Sequence, residues 1–302
     1  MAPIKTQWTR LIRFVAAETG RVHIGQPVDS KLDVGLAASK RQTIKAYEIV
    51  GTALDPSAQV TKTVLTVQSL LSPLSNEEIK VVRCLGLNYL DHAAESNIAP
   101  PALPILFYKP VTTLVGPLGT ITIPRVAQPA KEQIPDYEAE MVIVIGKAAR
   151  DVSEADALDY VLGYTGANDV SFRAQQFAVS QWGFSKSFDN TNPLGPVLVS
   201  NNAIPDPQQI LLKCTLNEEQ VQNGTTAEQI FGVRKTVAFL SQGTTLEPGT
   251  IIMTGTPKGV GFARKPPVYL KDGDKVIVWL DNGIGSLVND VKEEGATVRA
   301  KL

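Results

Sequence analysis

The stretch Tyr137-Glu138-Ala139-Glu140-Met141-Val142-Ile143-Val144-Ile145-Gly146 decides how the rest of this 302-residue chain is read. From Met141 onward it is a continuous apolar strand. Side chains two apart on a strand point to the same face, so Glu138 and Glu140 project side by side. Adjacent carboxylates repel, and burying them unpaired is costly. A hard divalent cation such as Mg²⁺ or Ca²⁺, which takes oxygen ligands, resolves both problems. A polar strand end facing water gives the same pattern, so the pair alone does not choose.

Working outward, strands are predicted at residues 105–108, 120–123, 196–199, 210–216, 250–254 and 275–280. Helices are few. Residues 153–160 form one, with Ser153 as its cap and Glu154 and Asp156 in its first turn. Residues 170–176 and 227–240 form others, and Asn223-Gly224 predicts a hairpin turn. Near the N-terminus, residues 11–15 and 22–25 flank Glu18-Thr19-Gly20 as a hairpin, followed by short apolar runs at 46–50 and 64–67. Ser72-Pro73-Leu74-Ser75 reads as a boundary. The expectation is a small β-rich N-terminal domain, residues 1–73, and a larger domain, residues 74–302. Many strands that do not alternate with helices predict an α+β, mainly β architecture.

Lys+Arg number 29 and Asp+Glu 30, so net charge gives no reason to expect nucleic acid or an anionic membrane as partner. Cys84 and Cys214 are far apart, which suits two reduced thiols rather than a zinc site. With only His23 and His92 besides, any metal must be held by oxygen. No apolar run reaches membrane-spanning length. Lys5, Arg10 and Arg13 with no acid before Phe14 faintly suggest a transit peptide. The hairpin beginning at Leu11 favours a segment retained in the fold, so a cytoplasmic protein is expected, with mitochondria as the alternative.

Four further segments carry chemistry. In Gly163-Tyr164-Thr165-Gly166-Ala167-Asn168-Asp169, a strand runs into Asp169, which either presents a carboxylate or caps the next helix. Arg173 and Gln176, four and seven residues later, share a helical face, an arrangement that suits an organic acid. In Asn88-Tyr89-Leu90-Asp91-His92-Ala93-Ala94-Glu95, His92 and Glu95 are i,i+3 neighbours. A carboxylate that fixes one tautomer makes such a histidine a general base, unless the two are merely a surface pair. Lys186, in Phe184-Ser185-Lys186-Ser187-Phe188-Asp189, sits among apolar residues and needs a counter-charge. Thr254-Gly255-Thr256-Pro257-Lys258-Gly259 follows an apolar strand, where glycines let backbone N–H groups approach a carboxylate or simply form a turn.

Together, in this order, the segments resemble the fumarylacetoacetate hydrolase family. The matching residues are Gly86-Leu87-Asn88-Tyr89 with His92 and Glu95, Phe107 to Pro110, Glu138-Ala139-Glu140, and Asn168-Asp169-Val170-Ser171 with Arg173 and Gln176. Lys186-Ser187-Phe188-Asp189, Gly195-Pro196, Thr254-Gly255-Thr256-Pro257 and Gly273-Asp274 complete the set. The resemblance runs from about Val81 to about Val291 and is nearest the two-domain subgroup similar to mammalian domain-containing protein 2. It implies a mixed β-roll or barrel-like C-terminal domain, usually dimeric, with Mg²⁺, Mn²⁺ or Ca²⁺ on Glu138, Glu140 and Asp169. It places His92 and Glu95 on a short lid as the catalytic pair, Lys186 at the ligand oxygens, and Thr256 at a carboxylate, with Arg173 and Gln176 beside the substrate. The implied activity acts on a small 2-oxo acid through a metal-stabilised enolate. Tautomerisation of an oxaloacetate-type acid comes first. C–C hydrolysis or decarboxylation of acylpyruvate- or fumarylacetoacetate-like acids is the alternative, and a non-catalytic metal-bound binding protein is the third. Leu87 and Asn88 depart from the cleaving subgroups, in which an arginine and a fourth carboxylate ligand are usual at these positions.

Overall fold

The computed structural model describes residues 2–295; Met1 and residues 296–302, the end of the expected larger domain, lie outside the described residues. The fold is α+β and mainly β. Its spine is a sheet in which Asn192–Ser200, Val161–Asn168, Ala139–Ile145, Ile251–Met253, Val82–Gly86 and Ile105–Lys109 pair in that order. All these pairings are antiparallel except Ile251–Met253 with Val82–Gly86. Ala139–Ile145 lies inside the sheet with every residue buried. Met141, Ile143 and Ile145 enter one core cluster, and Val142 and Val144 enter another. Both faces are covered, which is why the sequence past Glu140 is apolar without alternation.

A second sheet runs Glu219–Thr225, Leu211–Leu216, Lys275–Leu280, Gly285–Glu293, Ile121–Ile123. Leu212, Cys214 and Leu216, with Val276, Val278 and Leu280, project at period two into the cluster that holds Met141. The N-terminal strands Arg10–Ala16, Val22–Pro27, Lys45–Val50 and Gln59–Leu71 close on themselves, the last pairing back to the first. Arg10 and Leu11 also pair with Val199 and Leu198 of the larger sheet.

Local pattern and structure part company at four places. Of residues 153–160 only Ala157–Tyr160 is helical, as a 3₁₀ turn. The Ser153 hydroxyl does accept the Asp156 N–H, but the chain enters the Val161–Asn168 strand before a helix can propagate. Of residues 227–240 only Thr226–Glu228, as a 3₁₀ turn, and Val233–Leu240 are helical. Between them the backbone binds Asn88, whose carbonyl and side-chain oxygens accept the N–H groups of Ile230 and Phe231. The helix expected at 170–176 begins only at Arg173, because Ser171 and Phe172 pair with Asp136 and Pro135. Asn223 and Gly224 are not a turn. They lie in Glu219–Thr225, paired with Lys213 and Leu212, and the turn falls at Asn217 and Glu218, both at positive φ. Gly224 answers a close approach instead, since a Cβ there would stand 2.5 Å from Pro257 Cβ.

Candidate active site

Asp136, Glu138 and Glu140 stand at alternate positions leading into the central strand, and all three are buried. The neighbouring strand delivers Asp169. Asn168 Oδ1 accepts the Glu138 N–H at 2.9 Å, and the Asp169 N–H donates to the Glu138 carbonyl at 2.9 Å. Asp169 caps no helix; the N-cap of Arg173–Ala178 is Phe172. The result is a buried triad in which one carboxylate oxygen each of Glu138, Glu140 and Asp169 lie within 4.8 Å of one another.

Three buried cations surround it. Lys186 Nζ donates to Glu138 Oε2 at 2.9 Å and Asp169 Oδ2 at 2.7 Å. Lys109 Nζ donates to Asp169 Oδ1 at 2.6 Å. Arg173 donates to Asp136 Oδ2 at 2.9 Å, Glu138 Oε1 at 2.6 Å and Gln176 Oε1 at 2.8 Å. Glu140 is the exception: it accepts the Gly255 N–H at 2.7 Å and, among the described residues, makes no ion pair with a cationic side chain. Gly255 has φ +86°, and a Cβ there would come 2.9 Å from Asn88 Cβ, so glycine permits this approach.

The electrostatics follow that pairing. Burial, then Asp169 and Glu138, push the Glu140 carboxyl well above the ordinary range. Burial would also raise Glu138, but Lys186 and Arg173 outweigh it and hold Glu138 low. Burial opposes the charge on Lys186, yet Asp169 and Glu138 hold its pKa above the usual lysine value. Counted as ionised, the form a metal ligand takes, the four buried carboxylates outnumber the three cations by one. An all-oxygen donor set short of one positive charge fits a hard divalent cation.

The triad borders a cavity of about 190 Å³ whose lining includes Glu138, Glu140, Lys186, His92, Gln176 and Thr256. His92 is on the Leu90–Glu95 helix, with Nδ1 2.8 Å from Glu95 Oε1. Glu95 in turn accepts the Gly259 N–H at 2.9 and 3.1 Å, which ties the short helix to the loop after Ile251–Met253. The pair is therefore no loose surface contact: His92 is buried and faces the site. Thr256 is already engaged, its hydroxyl donating to the Ala139 carbonyl and accepting from Gln222 Nε2. The structure brings His92, Glu138, Glu140, Arg173, Gln176, Lys186 and Thr256 around one cavity, with Asp169 in the triad and Glu95 behind His92.

Two charged residues escaped sequence reasoning. Lys109 ends an apolar strand and gave no pattern of its own. Asp136 was legible, since 136, 138 and 140 share the two-residue period that singled out the glutamates. Its carboxylate accepts the N–H groups of Gly261 and Phe262 and grips Arg173, so it sets the guanidinium against Glu138.

Sequence comparison matches residues 81–292 to the fumarylacetoacetate (FAA) hydrolase C-terminal family. The chain belongs to the fumarylacetoacetate hydrolase family and is an enzyme. It is 60% identical over 300 residues to a caffeoylpyruvate hydrolase of Neonothopanus nambi, covering 97% of this chain and 96% of that protein. It is 43% identical over 225 residues to a mitochondrial oxaloacetate tautomerase of Xenopus laevis, 74% and 68% of the two chains. Among solved structures, a 2-hydroxyhepta-2,4-diene-1,7-dioate isomerase from Mycobacterium marinum superposes with TM-score 0.77 at 33% identity, covering 95% of this chain and 100% of that one. A fumarylpyruvate hydrolase from Pseudomonas aeruginosa, in complex with Mn²⁺ and pyruvate, gives 0.62 at 27% identity over 75% and 93%.

Proposed function

We propose that the protein hydrolyses the C–C bond of an acylpyruvate, R–CO–CH₂–CO–COO⁻, to a carboxylic acid and pyruvate. The observation that carries this reading is the buried His92, bonded through Nδ1 to the more exposed Glu95 behind it, facing the same cavity as the carboxylate triad. The nearly full-length likeness to a caffeoylpyruvate hydrolase supports it over the tautomerase that the motifs alone put first.

Glu138, Glu140 and Asp169 would hold Mg²⁺, with Mn²⁺ or Ca²⁺ able to take its place. When bound, the ion polarises the keto and carboxylate oxygens of the substrate head. Glu95, anchored by the Gly259 N–H, accepts from His92 Nδ1 and leaves Nε2 as the basic nitrogen. Nε2 takes one proton of water while the oxygen adds to the acyl carbonyl. The C–C bond breaks with its electron pair on the pyruvate CH₂ carbon, and the proton held by His92 returns there. Water thus supplies OH to the acid and H to the pyruvate. Lys186 spends two N–H groups on Glu138 and Asp169, and its third serves the oxygen on which negative charge grows. Gln176 gives its oxygen to Arg173 and keeps its NH₂ for the substrate. With its proton committed to Ala139, Thr256 orients the substrate carboxylate's neighbourhood rather than donating to it. Arg173 holds Glu138 in place at the rim of the same pocket.

Oxaloacetate tautomerisation is the second reading, favoured by the likeness to a mitochondrial oxaloacetate tautomerase and by Lys186, whose charge at the triad can face an enolate oxygen without any water taking part. The protein would work as a homodimer. Either cytoplasm or mitochondria suits it, and no helix among the described residues is long and apolar enough to cross a membrane. The test is to add acetylpyruvate and Mg²⁺ and measure pyruvate release beside enol–keto exchange of oxaloacetate. Pyruvate release supports the hydrolase. Rapid exchange with no pyruvate from any acylpyruvate overturns it in favour of the tautomerase.

A further inference from the structure

Away from the triad the cavity changes character. Gly86 ends the Val82–Gly86 strand, and a Cβ there would fall 2.1 Å from Cζ3 and 2.6 Å from Cη2 of Trp182. The indole therefore lies on bare backbone, a placement any other residue at 86 would forbid. Trp182 also meets Phe107 edge to face, centroids 5.6 Å apart. A second edge-to-face pair, Phe177 and Phe262 at 5.3 Å, is seated on Arg173, whose guanidinium carbon is 4.6 Å from the Phe262 centroid. Leu87 lines the cavity between strand and lid helix at φ +49°.

Among the described residues, no cation is left over on this side. The cationic residues in the lining are Arg173 and Lys186, with His92 beside them, and both are tied to carboxylates. Of the buried side-chain polar atoms without a partner among the described residues, Ser96 Oγ alone belongs to a residue of this lining. A hydroxyl can meet a neutral oxygen but cannot neutralise a second carboxylate. Charge balance agrees: with a divalent cation added, the four carboxylates and three buried cations carry one net positive charge, which one substrate carboxylate cancels.

We propose that the acyl tail of the substrate is a flat, uncharged, aryl-bearing group lying on the Trp182 ring, with Trp182 and Leu87 as the residues that select it. The proposal rests on the acylpyruvate reading and deepens it. Ring stacking and apolar burial favour such a tail over a methyl group, while a second carboxylate would be stripped of water with nothing to pair with.

The experiment compares kcat/KM for three probes with a common 2,4-dioxo acid head: cinnamoylpyruvate, acetylpyruvate and fumarylpyruvate. The wild-type enzyme is expected to favour the aryl probe over acetylpyruvate by roughly two- to tenfold, the equivalent of one stacked ring pair. Fumarylpyruvate should rank last. Trp182→Ala should collapse the aryl-to-acetyl ratio, and Trp182→Phe should restore most of it. Leu87→Arg, which changes side chain but not backbone demand, should raise the fumaryl-to-aryl ratio. A wild-type preference for acetylpyruvate or fumarylpyruvate, or an unchanged ratio in Trp182→Ala, overturns the tail assignment and leaves hydrolysis standing. If no probe is cleaved, the hydrolase reading fails instead. Calorimetric affinities of the Mg²⁺-loaded protein for the same three probes then decide the tail, and equal affinities overturn it.

Discussion

The two sides of the cavity are built by different means. The floor is strand-borne: Glu138, Glu140 and Asp169 come from adjacent strands whose backbone bonds fix them, and the cations among them are buried. The roof is a six-residue helix, Leu90–Glu95, with no side-chain cap, held to the body chiefly through Glu95 on Gly259 and through Asn88. The difference teaches where rigidity is needed. Repelling carboxylates must be held together before a metal ion arrives, and here a doubly covered sheet with buried Lys109, Lys186 and Arg173 does that. A base that meets water and substrate can sit on a part that moves.

The largest effect should come from the floor. Chelation, or Glu140→Ala, should bring turnover to background, and Mg²⁺ or Mn²⁺ should restore the chelated wild type alone. Full activity of metal-free protein would break the distinction at its base. Next comes the roof. His92→Ala should cut acylpyruvate cleavage by about a hundred- to ten-thousand-fold, the usual worth of a general base, with metal content intact. Enol–keto exchange of oxaloacetate should fall less in the same preparation. Equal, severe losses in both would mean that one proton transfer serves both reactions.

Lys109→Met sharpens the view of the floor. Removing one partner of a buried ion pair costs about 3–5 kcal/mol, and Lys186 remaining on Asp169 places this case at the lower end. Added Mg²⁺ should shrink the loss, because the ion supplies the missing charge. The measurement is the Tm difference from wild type with and without Mg²⁺, and a difference that does not narrow refutes Lys109 as a stand-in charge. The smallest effect is expected far from the cavity. His23 pairs with Glu48 on the N-terminal strands, so His23→Ala should leave kcat within a few-fold. Removing this half-buried pair should cost on the order of 1 kcal/mol. A loss as deep as that of Glu140→Ala would place the N-terminal strands in the site.

Most of the floor was legible because a strand has a fixed period. Glu138 and Glu140 announced their shared face, and the apolar run behind them announced a strand, which the structure buries on both faces. Asp169 was ambiguous, since a carboxylate before a helical pattern can cap or coordinate. Only the pairing of Ser171 and Phe172 with Asp136 and Pro135, a long-range event, removed the cap. The same kind of event hid the true extent of the helix at 233–240, because Asn88 outbids the local pattern from 143 residues away. Trp182 against Gly86 was illegible for that reason too: nothing in either neighbourhood names the other.

One strand has a consequence for how the molecule comes apart. Arg10–Ala16 belongs to the closed N-terminal ring and, through Arg10 and Leu11, to the sheet that carries the triad. Phe14 and Met141 sit in one continuous core cluster. Opening the ring therefore frees the Val199 end of the large sheet, and neither part can loosen without the other. The amides of the Arg10–Ala16 strand should exchange with solvent water only in the same slow, whole-molecule openings that release those of the central strand, so that heating unravels the chain in a single step.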